Sequence, residues 1–558
     1  MRCFFAQTII SGVLAFVSVS QAKSYEQSFC TFMGGGKWER VQSVYVDADN
    51  YIYVAGSTKS ADFPVTAGAY DTAGSGNGTN DGFVAKLAPD GSRIIWSTYL
   101  HGTSRDDVYG VYADDLGFVY AVGWTRSSNF PTTPGAWDRT HNGDMDVFIA
   151  KLKPDGSGLV FSTFFGGSGV DQCRGGLFVD ETGIYVCGYT DSPNFPTTVG
   201  AIQRTFQGGY GDAFVAKLSA DASSLLFCTY LGSTGPDHAF PGLCVHSDGS
   251  VIVTGLAGAA DFPTTPNACQ TKFAGSDGNG IWYGDAFIAR FSLTPEYRHV
   301  LHYITFLGGS GDEKSTAQHG LAIDEAGNAI IAGTTQSSDF PTTPGAFQAN
   351  LKGRNNVYVA KVSLDGTTLL GSTYLGGSPQ NGYEPSGLYV DRKANVYVGG
   401  SIFGDAAGHP VTSDAFQQES GGANDAFFAV LSEDLTDLKY SSLFGGAGDE
   451  RIRDLWLSPS GAMIFGGDTY STNLPVTAGV FRKKYVGGGD AYVAKFDPLR
   501  TPAGDVNDDN CVDFLDVVQM AAEWLANGIL DSDLNDNTHV DMEDYSILAR
   551  HWLQQYIP

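Results

Sequence analysis

Short runs of β-prone residues, each about as long as one strand, alternate along this chain with turns built from Gly, Asp, Asn and Pro. One run is Ser97-Thr98-Tyr99-Leu100, a second Asp81-Gly82-Phe83-Val84-Ala85-Lys86, and a third spans Val46-Asp47 to Tyr53-Val54-Ala55-Gly56. Such runs, bounded by turn formers, predict strands rather than helices. The runs also repeat. The phrase Asp62-Phe63-Pro64-Val65-Thr66-Ala67-Gly68-Ala69 returns as Asn129-Phe130-Pro131-Thr132-Thr133-Pro134-Gly135-Ala136, and its proline returns at Pro196, Pro263, Pro341, Pro410 and Pro475. The seven prolines stand 67, 65, 67, 78, 69 and 65 residues apart. Copies of the Asp81 phrase begin at Asp146, Asp212, Asp285, Asn356, Asp425 and Asp490, and copies of the Ser97 phrase surround Thr163, Thr229, Thr305, Thr373 and Ser442.

Four strands per repeat describe one blade of a propeller. The loop between the second and third strands lengthens the repeat. Within it, a threonine ahead of proline in Thr132-Thr133-Pro134-Gly135-Ala136 predicts a single helical turn. After the last copy, Asp490 to Lys495, the Ser-Thr-Tyr-Leu strand is missing. Its seventh copy stands at the amino end, Ser28-Phe29-Cys30-Thr31-Phe32-Met33-Gly34-Gly35. A displaced strand that completes the last blade predicts a closed ring, because closure removes both sheet edges. The expected fold is therefore mainly β: a seven-bladed β-propeller of four-stranded blades, closed by an N-terminal strand, over residues 23–499. These phrases resemble the consensus of the bacterial seven-bladed β-propeller (SBBP) repeat proteins over about residues 28–497. That resemblance implies a secreted repeat module and names no activity.

Composition sharpens the picture. Glycine is 72 of 558 residues, near twice the usual share, as turn-rich blades require. The formal net charge is −28, a field that repels phosphate backbones and so excludes nucleic-acid binding. Residues 1–22 read as a signal peptide: Arg2, an apolar run from Phe4 to Val19, and small residues in Ser20-Gln21-Ala22. No later stretch is apolar enough to span a membrane, so the expected location is secreted, extracellular or cell-surface. The seven cysteines after this segment, Cys30, Cys173, Cys187, Cys228, Cys244, Cys269 and Cys511, are odd in number and irregular in spacing, which is no disulfide framework.

Residues 501–558 carry 12 acids and one base, net −11. Here Asp505, Asn507, Asp509, Asp513 and Asp516 occupy positions 1, 3, 5, 9 and 12 of a loop, with Cys511 offering its carbonyl at position 7. That is the spacing by which one loop wraps Ca²⁺. A second loop repeats it 28 residues later with Asp533, Asn535, Asn537, His539 (carbonyl), Asp541 and Asp544. Each loop leads into an amphipathic run, Leu515, Val518, Ala522 and Leu525 in one and Tyr545, Leu548 and Trp552 in the other, so residues 504–554 are expected to form a small α-helical domain holding up to two Ca²⁺ ions. Two such loops, each followed by one helix and ending in Asp, resemble a type I dockerin. The resemblance implies docking to a cohesin-like module, or another extracellular protein, in a polysaccharide-degrading assembly. Phe514-Leu515 and Met542-Glu543 stand where many dockerins place Ser/Thr pairs.

An acid recurs just after each Leu-Gly-Gly-like turn: Glu39, Asp106, Asp171, Asp237, Glu313 and Glu450, with Asn381 in the sixth copy. A residue repeated in every blade is expected to serve the blade, by accepting backbone N–H bonds at a turn. Function on a ring breaks the symmetry, so the ligand-binding candidates are the blade-specific Arg40, Tyr109, Arg174, His238, His319 and Arg453. No nucleophile elbow, His-Glu-x-x-His or phosphate-cradling loop is present, so no catalytic residue is assigned. The expected function is a secreted, non-catalytic propeller that binds protein or glycan and is tethered by the calcium module. The alternative is a propeller glycoside hydrolase or lyase acting on polysaccharide, delivered by the same module.

Overall fold

The computed structural model describes residues 25–275, 283–314, 319–378 and 380–499. The signal-peptide reading and the calcium-loop reading, Asp505 to Asp544 included, lie outside the described residues. Glu26–Asp497 form one compact unit of seven antiparallel sheets. Blade 1 is Glu39–Val46, Ile52–Thr58, Asp81–Leu87 and Ile94–Leu100, paired in that order. Blade 2 repeats it with Asp106–Ala113, Val119–Thr125, Asp146–Leu152 and Leu159–Phe165. The remaining copies follow to blade 7, which begins at Glu450–Leu457.

The middle strands are buried on both faces: Asp81–Leu87 is buried at every residue but Lys86. A blade is covered by a neighbour on each side, so its inner strands need apolar residues nearly throughout instead of alternating with polar ones. The core is accordingly a set of seams between blades. Tyr53, Ala55 and Val84 of blade 1 pack with Val108, Val119 and Phe148 of blade 2, and Val147, Ile149 and Phe165 of blade 2 with Val186, Phe214 and Tyr230 of blade 3. Phe428 and Phe465 stack blade 6 on blade 7. Lys86 survives in this setting because its ammonium donates to Tyr53 Oη at 2.6 Å and lies 3.6 Å from Asp47.

The ring closes as the repeat arithmetic requires. Tyr25–Met33 pairs with Asp490–Pro498 as the fourth strand of blade 7. At the inner wall, Val44 N donates to Asp454 Oδ2 at 2.7 Å, tying blade 1 to blade 7.

Two details differ from expectation. The Thr-Thr-Pro-Gly segment forms a β-turn and no helical turn. Ala136 N donates to Thr133 O at 3.3 Å, and Gly135 takes φ +85°. Proline followed by a left-handed glycine is the sequence of a type II turn, and that glycine conformation stops a helix after one residue. The first strand is also not continuous in every blade. In blade 3 it divides into Asp171–Gln172 and Leu177–Asp180 around Gly175, whose φ is +101°. The six described cysteines are unpaired, and four are buried.

Candidate functional site

Antiparallel register brings the chemistry to one end of each blade. Glu39 lies opposite Thr58, and Thr58 opposite Asp81. Asp106, Thr125 and Asp146 line up in blade 2, and Glu450, Thr469 and Asp490 in blade 7. The mouth of the ring is thus built from the starts of first and third strands and the ends of second strands.

The repeated acids do serve the blades. Glu39 accepts Gly35 N and Thr58 Oγ1, each at 2.9 Å. Asp106 takes Gly102 N at 2.8 Å and Ser127 Oγ at 2.9 Å. Glu313 and Glu450 take Gly309 N at 3.1 Å and Gly446 N at 2.6 Å. A second row of acids begins the third strands. Asp146 Oδ2 accepts Asn142 N at 2.8 Å, Asp212 Oδ2 accepts Gln207 N at 2.8 Å, and Asp425 Oδ2 accepts Gly421 N at 2.9 Å.

The two rows meet between blades. A Cβ on Gly166 would lie 2.7 Å from Asp146 Oδ1 and 2.8 Å from Asp171 Oδ2; one on Gly34 would lie 2.6 Å from Glu39 Oε2 and 3.0 Å from Asp490 Oδ1. Gly308 is wedged in the same way by Asp285 and Glu313, and Gly445 by Asp425 and Glu450. Each third-strand acid therefore faces the first-strand acid of the next blade, and glycine is needed where the two carboxyls close over the backbone. All are buried. Among the described residues, the Oδ1 atoms of Asp146, Asp212, Asp285 and Asp425 have no hydrogen-bond donor.

Two buried carboxylates facing each other cannot both stay charged. Burial pushes Glu39, Asp171 and Asp212 up to about 7 and Asp285 up to about 6, and drives Asp237 and Glu313 well above their ordinary values. The bare Oδ1 is the place for a shared proton. The seventh pair supports this chemistry, because there both acids are amides, Asn356 and Asn381. Asn356 Oδ1 accepts Lys352 N at 2.8 Å, as Asp146 Oδ2 accepts Asn142 N. Its N–H₂ thus takes the place of the bare carboxyl oxygen and, like that oxygen, has no hydrogen-bond partner among the described residues.

Among the described residues one trio of metal-capable side chains converges, Asp81, His101 and Asp106. His101 replaces the glycine of the other six copies. Its Nδ1 lies 2.6 Å from Gly102 O and its Nε2 3.1 Å from Ala73 O. Carbonyls accept only, so this geometry suits a ring protonated at both nitrogens. Burial opposes that charge, but the Gly102 carbonyl and Asp81 outweigh it and raise the imidazole pKa. His101 is the counter-cation of its carboxyl pair.

Of the sequence candidates, five form one belt along the mouth. Arg40 Nη2 donates to Tyr109 Oη at 3.3 Å. Arg174 lies over the rings of Tyr109 at 5.8 Å and Phe240 at 4.6 Å, and Phe240 stacks on buried His238 at 4.5 Å. Arg453, whose Nε donates to Asp468 at 2.8 Å, neighbours Arg40. His319 adjoins them, with Nδ1 2.9 Å from Asp454 Oδ1, and with the Gly175 backbone, next to Arg174, within hydrogen-bonding reach; its backbone N donates to Ser386 O of blade 6 at 3.3 Å. Sequence reasoning missed Trp38, Lys59, Asn80, Arg105 and Tyr470, which line a cavity with Arg40. They flank the repeated Glu39, Thr58, Asp81, Asp106 and Thr469, in columns whose residue varies among the copies.

Residues 95–131, from the last strand of blade 1 into blade 2, match the family model SBBP, described as "Beta-propeller repeat". The chain contains a repeat of this kind. No curated protein sequence matches this repeat protein. Similar solved structures include the WD40 β-propeller domain of Doa1, at 12% identity and TM-score 0.40, covering 85% of this chain and 97% of that one. A protein of unknown function from Dyadobacter fermentans shows 8% identity and TM-score 0.40, covering 85% and 99%. Quinohemoprotein alcohol dehydrogenase from Comamonas testosteroni shows 10% and 0.38, covering 85% and 76%. At such distances nothing about the site of the repeat protein rests on these likenesses.

Proposed function

We propose that this chain is a secreted, non-catalytic propeller that binds protein or glycan at the mouth formed by its first strands, and that a calcium-dependent dockerin-like module at residues 504–554 tethers it to an extracellular assembly. The observation that carries the binding reading is the belt from Arg453 and Arg40 through Tyr109 and Arg174 to Phe240 and His238. It is a continuous strip of cations and ring faces assembled from five blades whose other positions repeat. Cationic and aromatic side chains side by side are the equipment of a ligand surface.

The acids at the same mouth are committed to turns and to one another. A Ser292–His302 hydrogen bond of 2.6 Å lies at the far ends of the outer strands of blade 4, and among the described residues no carboxylate pairs with that imidazole.

Incubating the intact protein with polysaccharide mixtures and with a glycan array tests the reading. The expected result is saturable binding, weakened by Tyr109→Ala and Arg174→Ala, with no released products. Turnover that vanishes in those variants would replace this reading with the enzyme reading. The tether has its own test. Chelating Ca²⁺ is expected to unfold residues 504–554 and to leave the propeller's circular dichroism and melting in place; a helical signal indifferent to chelation would refute the calcium assignment.

A further inference from the structure

The starts of blades 1 and 2 and the end of the second strand of blade 7 enclose a cavity of about 390 Å³ lined by Trp38, Arg40, Lys59, Asn80, Arg105 and Tyr470. Three of its six walls are cations, in a chain with 61 acids against 33 bases. Asp107 and Asp468 face part of that charge. Lys59 makes no ion pair among the described residues; its ammonium lies 5.5 Å from the Trp38 ring, where the Arg40 guanidinium also lies, at 4.9 Å. Arg105 uses only its Nε on Asp107, at 2.7 Å, and its side chain stays 46% exposed. Asp107 is meanwhile occupied by Asn80 Nδ2 at 2.8 Å and by Ser57 Oγ. Burial lowers the Arg40 pKa by more than Tyr109, Asp107 and Asp468 restore, and Arg453 adds to the drop. An anion in the cavity would relieve that crowding.

The rest of the lining says what the anion is attached to. The Trp38 ring is half-buried and the Tyr470 ring 46% exposed. They offer flat apolar surface for the C–H face of a pyranose, and Asn80 adds an amide beside it. Guanidinium pairs carboxylate or sulfate in a bidentate fork, while ammonium acts as a point charge.

We infer that this cavity binds an acidic sugar unit, a pyranose carrying a carboxylate or a sulfate. This rests on the reading of the mouth as a ligand site and gives that ligand its chemical class.

The experiment titrates the full chain with tetragalacturonate, a sulfated tetrasaccharide, neutral maltotetraose and tetraglutamate, following tryptophan fluorescence. Both acidic sugars, or one of them, should quench saturably, at least 10-fold more tightly than maltotetraose and tetraglutamate, and should weaken as salt rises. Lys59→Gln and Trp38→Ala should each cost at least 10-fold, while Lys153→Gln, exposed and remote in sequence, should cost nothing. Arg105→Gln guards against a Trp38 variant that fails to fold. Equal binding of the neutral sugar overturns the acidic class but leaves the binding reading standing, as does equal binding of tetraglutamate. Indifference to Lys59→Gln and Arg105→Gln, or no binding by either acidic sugar, overturns the inference itself. The broader reading fails only on turnover.

Discussion

The propeller should melt at a higher temperature at pH 5 than at pH 8, by roughly 10 °C. The cause is the set of carboxyl pairs between blades: Glu39 with Asp490, Asp146 with Asp171, Asp212 with Asp237, Asp285 with Glu313, and Asp425 with Glu450. Their folded pKa values are raised, chiefly by burial, with Glu39 and Asp171 at about 7. A group whose pKa is raised on folding gives its full contribution below its unfolded pKa and loses it as pH climbs through the folded one. The window therefore runs from the ordinary carboxylate range to about pH 7 or 8. A shift of the size seen at Glu39 is worth about 3 kcal/mol, and several pairs act together.

His101, raised as well, loses its contribution in the same direction. At the Glu39–Asp490 pair, the charged neighbour from outside the two acids is Arg482, which lowers Asp490 and moderates that pair. Carboxylates with depressed values, such as Asp248, act below this window. General repulsion in a chain of net charge −28 also grows with pH, so the local cause needs its own variant. The double change Asp146→Asn with Asp171→Asn copies what Asn356 and Asn381 already do, and should flatten the slope while preserving the fold. Melting that is level or rising from pH 5 to pH 8, or a slope indifferent to the amide pair, would remove shared protons as the cause.

Those pairs show where sequence reading runs out. Both acid columns are visible in the repeats, and each turns to an amide once, at Asn356 in the fifth copy and at Asn381 in the sixth. What a repeat does not display is that the third strand of one blade meets the first strand of the next. Adjacency across a seam is a property of the ring, not of the unit. The blade count and the strand order were legible because every copy must solve the same packing problem with the same residues. The candidate belt is legible for the opposite reason, through departures from the repeat. Arg40, Tyr109, Arg174, His238 and Arg453 could be chosen that way. Trp38, Lys59 and Tyr470 sit beside repeated positions and pass for loop residues until folding draws them around one cavity. The Thr-Thr-Pro-Gly turn was misread because threonine before proline also begins helices, and the left-handed glycine two residues later decides otherwise.

A chain beginning at Gly34 should be the most damaged of any single change. Without Tyr25–Met33, Asp490–Pro498 becomes the open edge of blade 7, with unpaired N–H and C=O groups and apolar faces in water. The strand buries Phe29, Cys30, Phe32 and Met33 at 2% exposure or less. Burying one large apolar side chain is worth roughly 1.5–3 kcal/mol, so their joint loss is on the order of 10 kcal/mol, comparable with the whole stability of a folded protein. The outer loop of blade 7 loses its anchor as well, since Phe32 N donates to Arg482 O at 3.1 Å and Thr477 N to Cys30 O at 3.2 Å. The truncated chain should aggregate or melt far below the intact one, and a synthetic peptide of residues 25–36 added in trans should restore part of the melting temperature. Phe32→Ala, which keeps the strand and leaves a cavity, should cost about 3–5 kcal/mol and hold the ring closed. A truncated chain that melts within a degree or two of the full one would mean that blade 7 stands on three strands and that the ring does not depend on its N-terminal strand for closure.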